Sequence, residues 1–131
     1  MSQEPRTIRR ELKTTDSFRK LIIWQLSHQL VIKVYSIIKK FPSFEKFILI
    51  NQLIRAVISI PANIAEGYGR RSKKEFIQFL FISIGSLEET RYYIILSQEL
   101  GYITQKEQED LELLAIEIKA KTMSFIRHLQ K

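Results

Sequence analysis

Ser59-Ile60-Pro61-Ala62-Asn63-Ile64-Ala65-Glu66-Gly67-Tyr68-Gly69-Arg70-Arg71-Ser72 lies near the middle of the chain, between two long apolar-periodic segments. It sets a proline, an asparagine and a glutamate into helical sequence, then closes on two glycines and a basic cluster. Pro61 has no N–H for the Val57 carbonyl and its ring presses on that turn, so a kink is expected rather than an end. Ser59 and Asn63 are placed to satisfy backbone groups freed there. Gly67 and Gly69 are expected to end the helix, either one taking the left-handed C′ conformation at low cost. Ser72-Lys73-Lys74-Glu75 has capping-box spacing, which starts a third helix at Ser72.

Upstream of this corner, Phe47, Leu49/Ile50, Leu53/Ile54, Val57/Ile58 and Ile60/Ile64 form the apolar face of the second helix, with Ser43 as its cap and Glu45 in its first turn. Phe41-Pro42 stops the first helix, because the residue before proline is pushed out of the α region. That first helix, residues 17–40, opens at Asp16 or Ser17 and carries a stripe of Leu21, Trp24, Leu30/Val31, Val34/Tyr35 and Ile38. Residues 1–15 are polar and basic and read as a mobile arm.

Downstream, the third helix runs to Leu100 and is apolar over more than half its circumference, from Phe76 and Phe79 through Phe81 and Ile82 to Tyr92–Leu96. Such a helix needs a second buried surface, most simply another subunit, and Ser83, Gly85 and Ser86 are small enough for close approach. Gly101 suits its C′ position. Thr104-Gln105-Lys106-Glu107 is a second capping box, opening a fourth helix to Leu129. Leu111, Leu114/Ala115, Ile118, Thr122, Phe125 and Leu129 recur along it at bundle spacing. Glu112, Glu117, Lys119, Lys121 and Arg127 are assigned to its opposite, solvated face.

Four helices with short connections predict an all-α, antiparallel, up-down-up-down four-helix bundle over residues 16–131, with a kinked second helix and an oligomeric state. There is no strand signal and no repeat.

The 131 residues suffice for one core, and 45% hydrophobic with 27% charged residues is an ordinary globular balance. Cysteine is absent, so disulfides and thiolate metal sites are excluded, in keeping with a cytoplasmic location. Leu21–Ile32 and Phe76–Leu87 are the longest uncharged runs, short of the ~18–20 residues of a membrane span. Residues 1–10 show no apolar stretch before a cleavage site, so no signal peptide is expected. The formal charge of +7 favours anionic partners, nucleic acid or acidic protein surfaces.

No catalytic constellation is present. His28 and His128 sit in no Glu-x-x-His pattern and read as helix-surface positions, so neither metal nor cofactor is expected. Neighbouring acids such as Glu88/Glu89 and Glu109/Asp110 do not face each other on a helix and read as solvated faces. Glu66, set among apolar neighbours, reads as a buried carboxylate held by Arg55, Arg70, Arg71 or the N-terminus of the third helix, fixing the corner rather than serving catalysis. Arg70, Arg71, Lys73 and Lys74 are the candidate nucleic-acid-binding residues. Four cations crowd a helix N-terminus, where the dipole favours anions, and that arrangement suits a bound phosphate; a solvated basic turn is the alternative. The first connection falls at the opposite end of such a bundle, so Lys39 and Lys40 should not extend this patch.

Phe41-Pro42, Glu45-x-Phe47-x-Leu49-x-x-Gln52, Arg55-Ala56, the Ser59–Gly67 run with its corner residues Ser59, Pro61, Asn63, Glu66 and Gly67, Gly69-Arg70-Arg71-Ser72 and Gly85-Ser86-Leu87-Glu88-Glu89 closely resemble bacterial proteins encoded in intervening sequences of 23S ribosomal RNA genes. Trp24 and Leu100-Gly101-Tyr102 also match, while Ile54 and Ser27 depart from the usual arginine and alanine. The resemblance implies an antiparallel four-helix bundle and a ring-shaped homopentamer. The related accessory proteins of diversity-generating retroelements are basic pentamers thought to bind nucleic acid and a reverse transcriptase. No catalytic residues come with the family. The expected function is therefore a non-enzymatic oligomer that binds RNA or single-stranded DNA with little sequence preference. The alternative is a protein-interaction adaptor for a partner such as a polymerase.

Overall fold

The computed structural model describes residues 17–131, and the basic segment before Ser17 lies outside them. Among the described residues the chain is all helical: α1 spans Ile22–Ile37, α2 Leu49–Tyr68, α3 Lys73–Glu99 and α4 Gln105–Leu129. Each helix packs against the next and α4 packs back on α1, making a four-helix bundle.

Local chemistry accounts for most boundaries. Ser17 accepts the Arg19 N–H at 3.0 Å and opens a short 3-10 turn, Phe18–Lys20, ahead of α1; Asp16 lies outside the described residues. Ser72 accepts the Glu75 N–H at 3.1 Å and starts α3. Thr104 and Glu107 exchange both bonds of a complete capping box at the start of α4. At the end of α3, Gly101 takes φ +82°, so that Tyr102 N–H reaches the Ser97 carbonyl at 2.9 Å.

The core is aliphatic. Leu30, Leu53, Ile60, Ile64, Leu80, Leu87 and Ile94 are fully buried, each contributing roughly 1.5–3 kcal/mol by removal from water. Pro61 is buried inside α2, which continues through it to Tyr68. The Asn63 amide donates to the Ser59 carbonyl and hydroxyl, both at 2.8 Å, and Ser59 Oγ lies 2.8 Å from Ser86 Oγ of α3. Ser83 donates to the Ile60 carbonyl at 2.9 Å. Small hydroxyl residues thus tie α2 to α3 at the proline.

Several expectations are corrected. Ser43 makes no capping bond; Ser43–Phe47 is a 3-10 turn and α2 begins at Leu49. The Leu49 N–H is instead accepted by the carboxylate of Glu45, which is only 7% exposed. Anchoring Glu45 turns Phe47 outward, 82% exposed, so it does not belong to the buried face. Gly67 does not end α2, nor does Gly69 adopt positive φ, since Gly101 alone does among the described residues. A Cβ on Gly67 would meet Phe79 Cβ at 2.7 Å and Phe76 Cδ1 at 2.9 Å, so glycine there serves close helix packing. Gly85 faces outward on α3, away from the Ser83 and Ser86 contacts.

Candidate nucleic-acid interface

The α2–α3 corner is built by a helix end, a three-residue turn and a serine cap, so its cations project from backbone held on both sides. The four do not behave alike. Arg70 is committed to the fold: its guanidinium lies 2.7 Å from Glu66 Oε1 and 3.9 Å from Glu75 Oε2, and 4.8 Å from the Phe79 ring centre. Glu66 is exposed rather than buried, so this i,i+4 pair is worth only about 0.3–0.5 kcal/mol; the stacking on Phe79 adds to it. Arg71, Lys73 and Lys74 are exposed and form no salt bridge among the described residues. They stand at the N-terminus of α3, where only Glu75 of the first turn offsets the unfavourable cation–dipole interaction.

A line of ring contacts brings further cations to this end. Lys20 Nζ lies 5.5 Å from the Tyr68 ring centre, Tyr68 meets Phe76 at 6.1 Å, and Phe76 meets Phe125 of α4 at 5.7 Å. The start of α1 and the last turn of α4 therefore adjoin the α2–α3 corner. They add Arg19, Lys20 and Arg127 to its charge. These residues were missed in the sequence because they lie far from the corner along the chain. The signal was available: an even number of helices with short connections returns the end of α4 to the start of α1. Lys40, as expected, is elsewhere, paired with Glu107 at the start of α4.

A cluster of perturbed ionisable groups lies on a different surface. Arg91 bonds Glu112 through Nε and Nη2 and Glu88 through Nη1, and Lys119 lies 3.5 Å from Glu88. The Glu112 and Glu88 carboxylates raise the Arg91 pKa. Burial pushes the Glu88 carboxyl up, but Arg91 and Lys119 outweigh it and lower the pKa. Glu88 is exposed, as expected, yet with Glu112, which is half-buried rather than on a solvated face, it joins α3 to α4 through Lys119 and Arg91.

No group of three His, Asp or Glu side chains able to hold a metal occurs among the described residues, and none of their helices is long and apolar enough to cross a membrane. His28 and His128 are exposed, His28 stacked on Trp24 at 4.9 Å.

Apolar surface remains uncovered in several places. On α3, Phe81, Ile82, Tyr92 and Ile95 are exposed. Between α1 and α2, Trp24, Val31, Ile58, Pro61 and Ala62 line a shallow groove of about 270 Å³.

A family model described as 23S rRNA-intervening sequence protein matches residues 19–124. A solved structure from Bacteroides thetaiotaomicron VPI-5482, described as a protein with unknown function from the S23 ribosomal protein family, is similar at 27% identity. It aligns with a TM-score of 0.74 over 80% of this chain and 98% of that one. Among curated proteins nothing matches.

Proposed function

The chain belongs to the 23S rRNA-intervening sequence protein family, and from that membership we propose that it is a non-enzymatic, oligomeric RNA-binding bundle. Contact with the phosphate backbone is assigned to Arg71, Lys73 and Lys74, with Arg70 holding the corner that presents them. The observation that carries this reading is the concentration of exposed cations at one end of the bundle, Arg71, Lys73 and Lys74 beside Arg19, Lys20 and Arg127. Such a surface binds phosphates with little sequence preference and steep salt dependence.

The arrangement we read is antiparallel, up-down-up-down. In its support, Glu45–Tyr102 and Lys40–Glu107 join the first and third connections, while Lys20–Tyr68 and Phe76–Phe125 gather the other end. We read α2 as kinked at Pro61, so Pro61→Ala should straighten it and displace the basic turn. We read the oligomer as a ring, the homopentamer that the family resemblance implies. The uncovered α3 stripe and the α1–α2 groove are different surfaces, and a contact between unlike surfaces closes into a ring when its rotation permits. A ring repeats the basic end and raises avidity.

The test is binding of purified protein to short RNA and single-stranded DNA across a salt series, with mass followed by light scattering. Steep salt dependence lost in an Arg71→Glu/Lys73→Glu/Lys74→Glu variant of unchanged mass supports the reading. An intact oligomer with no RNA affinity at low salt sinks it.

One observation favours a second reading, a protein-interaction adaptor. Phe44, Phe47 and Ile48 are exposed together on the first connection, around buried Glu45, which accepts the Leu49 N–H. A protein partner retained after nuclease treatment and lost in Phe47→Glu would support it.

A further inference from the structure

Where the start of α1 meets the last turns of α4, a groove of about 560 Å³ opens on the basic end. Its apolar wall is Leu21, Ile22 and Phe125, and its polar rim is Lys20, Lys121, Ser124 and His128. The His128 ring lies nearly parallel to Phe125, 14° between planes at 6.5 Å. Lys20 also sits over Tyr68, and Lys121 Nζ is 3.9 Å from Glu117. Flat apolar and aromatic surface between cations is the chemistry of an unstacked base with its phosphate. Ring contacts from Phe125 through Phe76 to Tyr68 link the groove's wall to the α2–α3 corner.

We infer that this groove takes one nucleotide of a single strand, the base against Ile22, Phe125 and His128 and the phosphate against Lys20 and Lys121. The inference rests on the RNA-binding reading and sharpens it. A base within a duplex is stacked on both faces and cannot enter, so single strands should bind more tightly than duplexes of the same sequence, by roughly tenfold for one stacked base.

The experiment compares a single-stranded RNA decamer with its duplex by fluorescence anisotropy. Adenosine 5′-monophosphate is titrated separately while the imidazole resonances of His28 and His128 are followed by NMR. Ser124→Trp fills the groove from an exposed position, and Lys121→Glu reverses its charge. The expected result is a single-strand preference in the wild type and a nucleotide-induced shift of His128 but not His28. Ser124→Trp should remove both while duplex binding stays unchanged. Equal affinity for single strand and duplex, or a preference that survives both variants, overturns the groove while leaving the basic corner standing. If neither polymer binds, the RNA-binding reading has failed, and the nucleotide titration still decides the groove: a static His128 overturns it, and a shift abolished by Ser124→Trp supports it.

Discussion

Tyr102 donates its hydroxyl hydrogen to Glu45 Oε2 at 2.7 Å, across 57 residues of chain. The same carboxylate accepts the Leu49 N–H through its other oxygen at 3.3 Å. One buried glutamate therefore caps α2 and joins the connection before it to the connection after α3, with Phe41 packed against the Tyr102 ring at 5.1 Å.

Glu45→Ala removes the cap and leaves the Leu49 N–H without its acceptor. A loss of about 1–2 kcal/mol is expected from denaturant unfolding. Tyr102→Phe should give a smaller loss in the same direction. An unchanged midpoint in Glu45→Ala would show that the carboxylate does not hold this end together.

Gly67→Ala should destabilise, although alanine is the better helix former by about 1 kcal/mol. The new methyl would stand 2.7 Å from Phe79 Cβ and force α2 and α3 apart, an overpacking cost of about 1–3 kcal/mol. Gly69→Ala is the control: its nearest neighbour is the Glu66 carbonyl at 3.6 Å, and φ is −79°. Thermal melts should separate the two, with Gly69→Ala equal to or above wild type.

Thr122 is 1% exposed and its hydroxyl has no hydrogen-bond partner among the described residues. Thr122→Val keeps the shape and removes an unsatisfied group, so a gain of about 1 kcal/mol is expected. A loss on chemical denaturation would mean that the hydroxyl is satisfied.

Glu107 gives the pH dependence. Its bond to Lys40, and then that to Thr104, lower its pKa from the usual 4.5. A carboxyl whose folded pKa is depressed binds its proton more readily when unfolded. Its stabilisation is full above the unfolded value and fades as pH falls through the folded one. The difference in melting temperature between wild type and Glu107→Gln should therefore be constant near neutrality and shrink once pH drops below about 4.5. A difference that persists unchanged into strong acid would remove Glu107 from this role.

The corner cations should separate by role. Arg71→Ala/Lys73→Ala/Lys74→Ala should raise the melting temperature slightly, by relieving the cation–dipole interaction at the α3 N-terminus, and flatten the slope of log affinity against log salt for single strands by about 2, three contacts at about 0.7 each. Arg70→Ala should lower the melting temperature slightly and change the slope less, because its charge is already matched by Glu66 and Glu75.

Much of this protein is local chemistry and could be read residue by residue. Ser72, Thr104 and Gly101 mark helix boundaries because caps and positive-φ positions depend on neighbours a few residues away. The apolar spacing of Leu30, Leu53, Ile64, Leu80, Leu87 and Ile118 marks the core because helical periodicity is itself local. The basic cluster at Arg70–Lys74 was likewise visible in the chain.

Long-range packing decided the rest. Phe47 has the spacing of a buried position, yet anchoring of Glu45 by Tyr102 turns it to solvent. Gly67 has the composition of a helix terminator, yet the approach of Phe76 and Phe79 makes it a packing residue. Glu112 looks like a solvated acid until Arg91 of α3 is placed against it. The sequence by itself determined four helices, their caps and a basic turn. Only the tertiary structure decided which cations are held and which are free. The reason is physical: a side chain's exposure and ion pairs depend on atoms supplied by the neighbouring helix, whereas its helix depends on residues within one or two turns.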